Sequence, residues 1–244
     1  MPSADILFFL VMLLVFVPWV ALRTASALRT RVIPEPSRER AFAGTIATQL
    51  VLLALAMAVA HAQYIPILPR EWPYRRGVML GIGVFALAVA VMFWRIHRRS
   101  PLRDRTLSFV MPHSARDLPL FAIVCLVVGT AEEIVYRGVL MVLVQMMLLR
   151  YAGLDGDAQW WTAALICTLA FTVAHAAQGG LSVLIIAVLA LLLHVVAKWS
   201  GNLAVCMAVH AAYDFVSGSV YATYVRPRLL NIRASACDAA QRPG

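Results

Sequence analysis

Long apolar runs separated by short polar segments dominate this chain. Seven runs are apparent, at residues 5–22, 41–62, 77–94, 117–149, 160–177, 181–197 and 202–222. Most have the roughly 20 residues that a bilayer-spanning helix needs, and none shows the alternation of polar and apolar residues that marks barrel strands. The pattern predicts an all-α fold, a polytopic membrane helix bundle with about seven or eight transmembrane helices.

The fourth run is too long for a simple span. A straight α-helix over residues 117–149 would extend about 50 Å at 1.5 Å per residue, whereas the hydrocarbon core is only ~30 Å thick. The helix must therefore tilt, begin in the interface near Pro119, or break near Gly129. A break would give two spans in place of one and raise the count to eight.

Arginines are concentrated in three of the polar segments, at residues 23–40, 95–116 and 223–244. Because cytoplasmic loops carry the excess of Lys and Arg, seven spans with the N-terminus outside and the C-terminus in the cytoplasm fit this distribution. We divide the chain into a three-helix membrane segment at 1–116, a membrane core at 117–222 and a mobile cytoplasmic tail at 223–244.

Composition supports a membrane protein and argues against nucleic-acid binding. The chain is 62% hydrophobic and 14% charged, against about 25% charged residues in soluble domains. Its net charge is +9, but the arginines flank apolar runs as topology signals do. Lys198 is the only lysine, and this preference for arginine suggests a bacterial gene. We therefore expect a multi-pass protein of the bacterial inner membrane, with the lipid bilayer and no nucleic acid as partner; the oligomeric state is not indicated.

The cysteines suggest neither a disulfide framework nor a zinc ribbon. There are four, and none forms a Cys-x-x-Cys pair. Cys125, Cys167 and Cys206 lie inside apolar runs, where we interpret them as small packing residues.

Ionisable residues inside the apolar runs are the strongest indication of function. An ionised side chain at the bilayer centre costs about 2.5–3.5 kcal/mol on insertion scales, so such residues are usually functional. The candidates are Glu132, Glu133, Arg137, His175, His210 and Asp214.

The Glu-Glu pair is expected to divide into two roles. On a helix, Glu133 and Arg137 lie four residues apart, share a face and can form an ion pair. Glu132 is rotated by about 100° and gains no such partner from Arg137, so it is free to act as a general base. The alternative is that all three charges form a clamp that packs helices together.

Two further pairs also have helical i,i+4 spacing. Phe171 and His175 share one face, and His210 and Asp214 share another. Each histidine alone is compatible with a structural role. Together with a free glutamate, His175 could hold and activate water, and His210 with Asp214 could stabilise a developing oxyanion.

Read in order, Glu-Glu-x-x-x-Arg, Phe-x-x-x-His and His-x-x-x-Asp resemble the motifs of the CPBP family. These are the CAAX-protease and bacteriocin-processing (ABI) intramembrane proteases, which are related to the type II CAAX prenyl endopeptidase. The resemblance covers residues 117–222 and implies an intramembrane glutamic endopeptidase without a metal cofactor. Its substrate would be the membrane-proximal or C-terminal segment of a membrane-associated protein or peptide.

The resemblance implies a role for each motif residue. Glu132 would be the base that activates water, His175 would assist it, and His210 and Asp214 would stabilise the oxyanion. The supporting residues would be Glu133, Arg137 and Phe171. Many family members have Asn where this chain has Asp214; since an ionised Asp only accepts hydrogen bonds, Asp214 would have to be protonated or act by orienting His210.

Three alternatives remain open from the residues alone. The carboxylates and histidines could ligate a divalent metal such as zinc, although no His-Glu-x-x-His motif is present. The chain could be a non-catalytic membrane scaffold or immunity protein. It could also be a proton-coupled transporter, although no paired halves with matching broken helices are visible.

Overall fold

The computed structural model describes residues 3–30, 37–67, 72–98, 110–231 and residue 235. Every long element in this part of the chain is a helix, as predicted. The orientation in the membrane was inferred from arginine-rich segments that include residues 31–36 and 99–109, which lie outside the described residues. Most of the predicted tail, residues 232–234 and 236–244, also lies outside them.

Seven long helices follow one another in the described residues. We number them α1 (residues 4–30), α2 (Arg38–Ala62), α3 (Arg75–Arg98), α4 (residues 118–152), α5 (Gly156–Ala174), α6 (Gly180–Ser200) and α7 (Leu203–Asn231). Short 3₁₀ turns precede α4 at Ala115–Asp117 and follow α5 at Ala176–Gln178. The last helix continues past residue 222 to Asn231, so the first part of the segment assigned to the tail is helical.

The predicted count of seven or eight membrane spans is not confirmed. Six of the described helices are long and apolar enough to cross a membrane, and α5 is not among them. Its first turn carries Asp157 and Gln159, and threonines follow, which lower its mean hydropathy. The run at 160–177 forms most of α5 and part of the 3₁₀ turn after it, but α5 is less apolar than the six candidate spans.

The long fourth run forms one continuous helix that does not break near Gly129. Helix α4 is α-helical over Leu118–Glu132, π-helical over Glu133–Leu140 and α-helical again over Met141–Ala152. Because a π-helix has i→i+5 hydrogen bonds, it has more residues per turn than an α-helix and is frequent at functional sites. The change of pitch begins between the two adjacent glutamates.

Helix α4 lies at the centre of the bundle. Half of its most apolar window is buried (50%), against 17–28% in the other five candidate spans. Helices α2, α5 and α7 all pack against it, and α6 packs against α3 and α5. Residues at the middle of α4 are consequently shielded from the surroundings on several sides.

A close approach between α4 and α7 occurs at Gly129. A Cβ atom added to this glycine would lie 2.9 Å from the backbone nitrogen of Ala211, the residue that follows His210. Real Cβ atoms essentially never come so close, so the two helices can meet here only because position 129 has no side chain.

We expect Gly129→Ala to push α7 away from α4 and to lower the free energy of unfolding by about 1–3 kcal/mol, as overpacking does. The measurement is the thermal unfolding midpoint in detergent. Gly83→Ala on α3 is the matched control, because nothing lies within 4 Å of an added Cβ there. Equal midpoints for the two variants would contradict the close approach.

Candidate active site

Three helices bring the motif residues together. The middle of α4 contributes Glu132, Glu133 and Arg137, the C-terminal end of α5 contributes Phe171 and His175, and α7 contributes His210 and Asp214. The six candidate residues that the sequence singled out therefore meet in one cluster.

Glu133 forms the predicted ion pair with Arg137. The Arg137 Nη1 donates to Glu133 Oε1 at 2.5 Å, and both side chains are almost fully buried, with 1% and 0% exposed. The Nη2 of Arg137 donates to the backbone carbonyl of Ala190 on α6 at 3.1 Å. The pair lies in the π-helical part of α4, and it also joins α4 to α6.

His210 is bonded to Glu133, a contact that the sequence did not predict. Its Nδ1 lies 2.7 Å from Glu133 Oε1, and since a carboxylate only accepts, Nδ1 carries the hydrogen. Asp214, the predicted partner, shares the helix face, but its Oδ2 is 3.6 Å from His210 Nε2. That distance is longer than a hydrogen bond. Glu133 thus binds both Arg137 and His210.

His175 has a defined tautomer in its neutral form. Its Nδ1 lies 2.8 Å from the backbone carbonyl of Phe171. Because a carbonyl only accepts, Nδ1 donates, which leaves the Nε2 lone pair as an acceptor. That nitrogen is 4.0 Å from Oε2 of Glu132.

The two oxygens of Glu132 have different environments. Its Oε1 accepts a hydrogen bond from Nε2 of Gln49 on α2 at 2.7 Å. Its Oε2 is buried, has no hydrogen-bond partner, and lies 3.7 Å from His210 Nε2 and 4.0 Å from His175 Nε2. As predicted, Glu132 does not pair with Arg137 in the way that Glu133 does. One of its oxygens is directed at the space between the two imidazoles.

The ring of Phe171 packs against both histidines and against Arg137. Its ring centroid is 4.4 Å from that of His175, 6.2 Å from His210 and 5.0 Å from Tyr136, which it meets edge-on. The guanidinium carbon of Arg137 lies 5.5 Å from the same centroid. Phe171 therefore holds the imidazole of His175 in place through apolar contact and supports Arg137 through a cation–π contact.

Gln49 is the residue of this cluster that sequence reasoning missed. It is the only amide within the apolar run 41–62, which was the available signal. A neutral amide carries a smaller burial penalty than an ion, so a search for ionisable residues passes over it.

The cluster forms one wall of a large cavity of about 1180 Å³. Glu132, His175, His210 and Asp214 line it together with apolar side chains of α3 and α6, and Gln49 lines it from α2. Such a cavity exceeds the usual size of a small-ligand pocket, about 300–1,000 Å³. Its volume allows an extended peptide segment to lie beside the polar cluster.

No group of three or more His, Cys, Asp or Glu side chains with metal-binding geometry occurs in the described part of the chain. Cys125, Cys167 and Cys206 are buried and free, as their interpretation as packing residues predicted. The fourth cysteine, Cys237, lies outside the described residues.

Comparison with known proteins supports the resemblance. Residues 114–216 match the model of a family described as Type II CAAX prenyl endopeptidase Rce1-like. The match includes all the motif residues from Glu132 to Asp214 and leaves α1, α2 and α3 outside. No curated protein and no solved structure matches the chain. The predicted similarity to CAAX proteases is confirmed over this segment, and with the apolar helices it supports an integral membrane protease.

We expect Arg137→Met to lower the free energy of unfolding by about 3–5 kcal/mol, because it leaves the buried Glu133 carboxylate without its cation. The thermal midpoint in detergent is the readout. Asp157→Asn is the control, since it breaks the exposed pair of Asp157 with Lys198 and should change the midpoint little. If both variants melt alike, Glu133 does not depend on Arg137.

Proposed function

We propose that the protein is an intramembrane endopeptidase in which Glu132 is the general base. The observation that carries this proposal is the buried, unbonded Oε2 of Glu132, which faces Nε2 of His175 at 4.0 Å. Both atoms are acceptors when His175 is neutral. A water molecule between them can donate one hydrogen to each, which leaves an oxygen lone pair directed outward for attack.

The proposed reaction is a hydrolysis in which Glu132 carries the proton. The water oxygen bonds to a peptide carbonyl carbon, and Glu132 takes the proton that the water loses. When the C–N bond breaks, that proton passes to the departing amine, so Glu132 is returned to its starting state. Glu132 itself is buried, with 7% of its surface exposed, which strengthens its electrostatic contacts.

His210 and Asp214 are proposed to stabilise the oxyanion. Nδ1 of His210 is occupied by Glu133, so only Nε2 faces the cavity. When protonated, that nitrogen presents an N–H to the negative oxygen that develops in the transition state. Asp214 lies 3.6 Å from it and can add a second donor if its carboxyl carries a proton.

The proposed substrate is the membrane-proximal or C-terminal segment of a membrane-associated protein or peptide. The volume of the cavity and its apolar lining suit an extended, largely apolar chain. We propose that water activation needs no metal cofactor, and that the enzyme acts in the inner membrane of a bacterium. A zinc content that is stoichiometric and tracks activity would overturn the metal-free mechanism.

We expect Glu132→Gln to abolish proteolysis and leave the protein folded. Glutamine is isosteric, and its carbonyl oxygen can still accept the hydrogen bond from Gln49, but it is not a base. The measurement compares protein termini by mass spectrometry in cells that carry the wild type or the variant. New termini that require Glu132 would establish a protease and identify its substrate.

Equal expression and equal thermal midpoints of the two proteins are the control for that comparison. Identical termini in both cell types, with the variant well expressed, would contradict the protease and favour a scaffold, an immunity protein or a transporter. A variant that fails to fold would assign Glu132 a structural role.

We expect Asp214→Asn to retain activity within about threefold and Asp214→Leu to lose about a hundredfold, the usual effect of removing an oxyanion donor. Asparagine supplies an N–H donor at the same place, whereas leucine supplies none. The readout is the cleavage rate of the substrate identified above. Equal losses in both variants would instead show that Asp214 acts through its negative charge on His210.

A further inference from the structure

Gln49 contacts the reactive carboxylate from a helix that carries none of the family motifs. It lies on α2, outside the matched segment at 114–216. Its Nε2 is 2.7 Å from Oε1 of Glu132, and the contact spans 83 residues of sequence. The amide nitrogen of Gln49 therefore donates a hydrogen bond to Glu132.

The orientation of the amide is fixed by chemistry. An ionised carboxylate only accepts hydrogen bonds, so the nitrogen and not the oxygen of Gln49 must face it. The oxygen of the amide then points away, is buried, and has no hydrogen-bond partner.

The contact does little for the stability of the fold, but it orients the carboxyl group of Glu132. A buried carbonyl without a partner is unfavourable, so the amide oxygen of Gln49 does not stabilise the fold. The hydrogen bond to Oε1, in contrast, fixes the rotation of the Glu132 carboxyl group. It occupies one oxygen and leaves Oε2 directed at the two histidines.

We propose that Gln49 is a positioning residue for the reaction. By binding Oε1 of Glu132, it leaves Oε2 as the atom that takes the proton from water. It acts through Glu132 and not on the substrate. This inference rests on the proposed endopeptidase function, because it assumes that Glu132 is the base.

The first test is Gln49→Met, which keeps the length of the side chain and removes the donor. With a peptide that spans the cleavage site found in cells, we expect kcat to fall about ten- to a hundredfold, the range for loss of a hydrogen bond to a charged group. KM should stay within about twofold, since Gln49 does not hold the substrate in this proposal.

The matched control is Thr48→Val on the same helix. Thr48 is exposed, and its hydroxyl donates to the carbonyl of Gly44 on the same helix, at 2.9 Å. We expect this variant to match the wild type in kcat and KM. Thermal midpoints of both variants in detergent separate a loss of orientation from a loss of folding.

Gln49→Glu provides a readout that a structural role would not move. An ionised carboxylate at position 49 repels Glu132 and cannot donate, whereas a protonated one donates its O–H to Oε1. The rate relative to wild type at the same pH should therefore rise as the pH falls and the new carboxyl group takes up a proton, whereas Gln49→Met introduces no titrating group. The other charged or titratable groups that face Glu132 are Glu133 on α4, His175 at the end of α5, and His210 and Asp214 on α7, and all of them are present in both proteins.

Two results would overturn the proposal. One is a wild-type kcat in Gln49→Met, and the other is a pH-independent ratio for Gln49→Glu. Failure of the endopeptidase function itself is distinguishable, because then the wild type would produce no Glu132-dependent termini in cells.

Discussion

The buried carboxylate of Glu133 is the constraint on which the site depends. It is fully buried, and such a charge persists only with partners that compensate it. Arg137 supplies one from the same helix and His210 supplies another from α7. Since Arg137 also binds the carbonyl of Ala190 on α6, one carboxylate fixes three helices relative to one another. The position of His210 relative to Glu132 is a consequence of that fixation.

Adjacent glutamates have different environments because one residue step turns the side chain by about 100° on a helix. Glu133 faces a guanidinium and an imidazole, whereas Glu132 faces an amide and the cavity. The change from α- to π-helix begins between them.

Contacts along a single helix could be predicted from the sequence, and contacts between helices could not. Spacing of four residues correctly paired Glu133 with Arg137 and stacked Phe171 on His175. The bond from His210 to Glu133 depends on how closely α7 approaches α4, which is set at Gly129 by packing and not by periodicity. The predicted span count is not confirmed for a related reason, because the length of an apolar run does not take account of the polar first turn of α5.

The choice of partner for each glutamate is consistent with its task. A guanidinium beside a carboxylate stabilises the charged form strongly, which suits Glu133, whose charge must persist. The same partner beside Glu132 would oppose the uptake of a proton. The neutral amide of Gln49 orients the Glu132 carboxyl group through a hydrogen bond and stabilises its negative charge less than a guanidinium would. Glu132 is therefore held in place without losing the ability to accept a proton that the proposed role as a base requires. The difference between Arg137 and Gln49 thus separates the glutamate that organises the bundle from the one proposed to react.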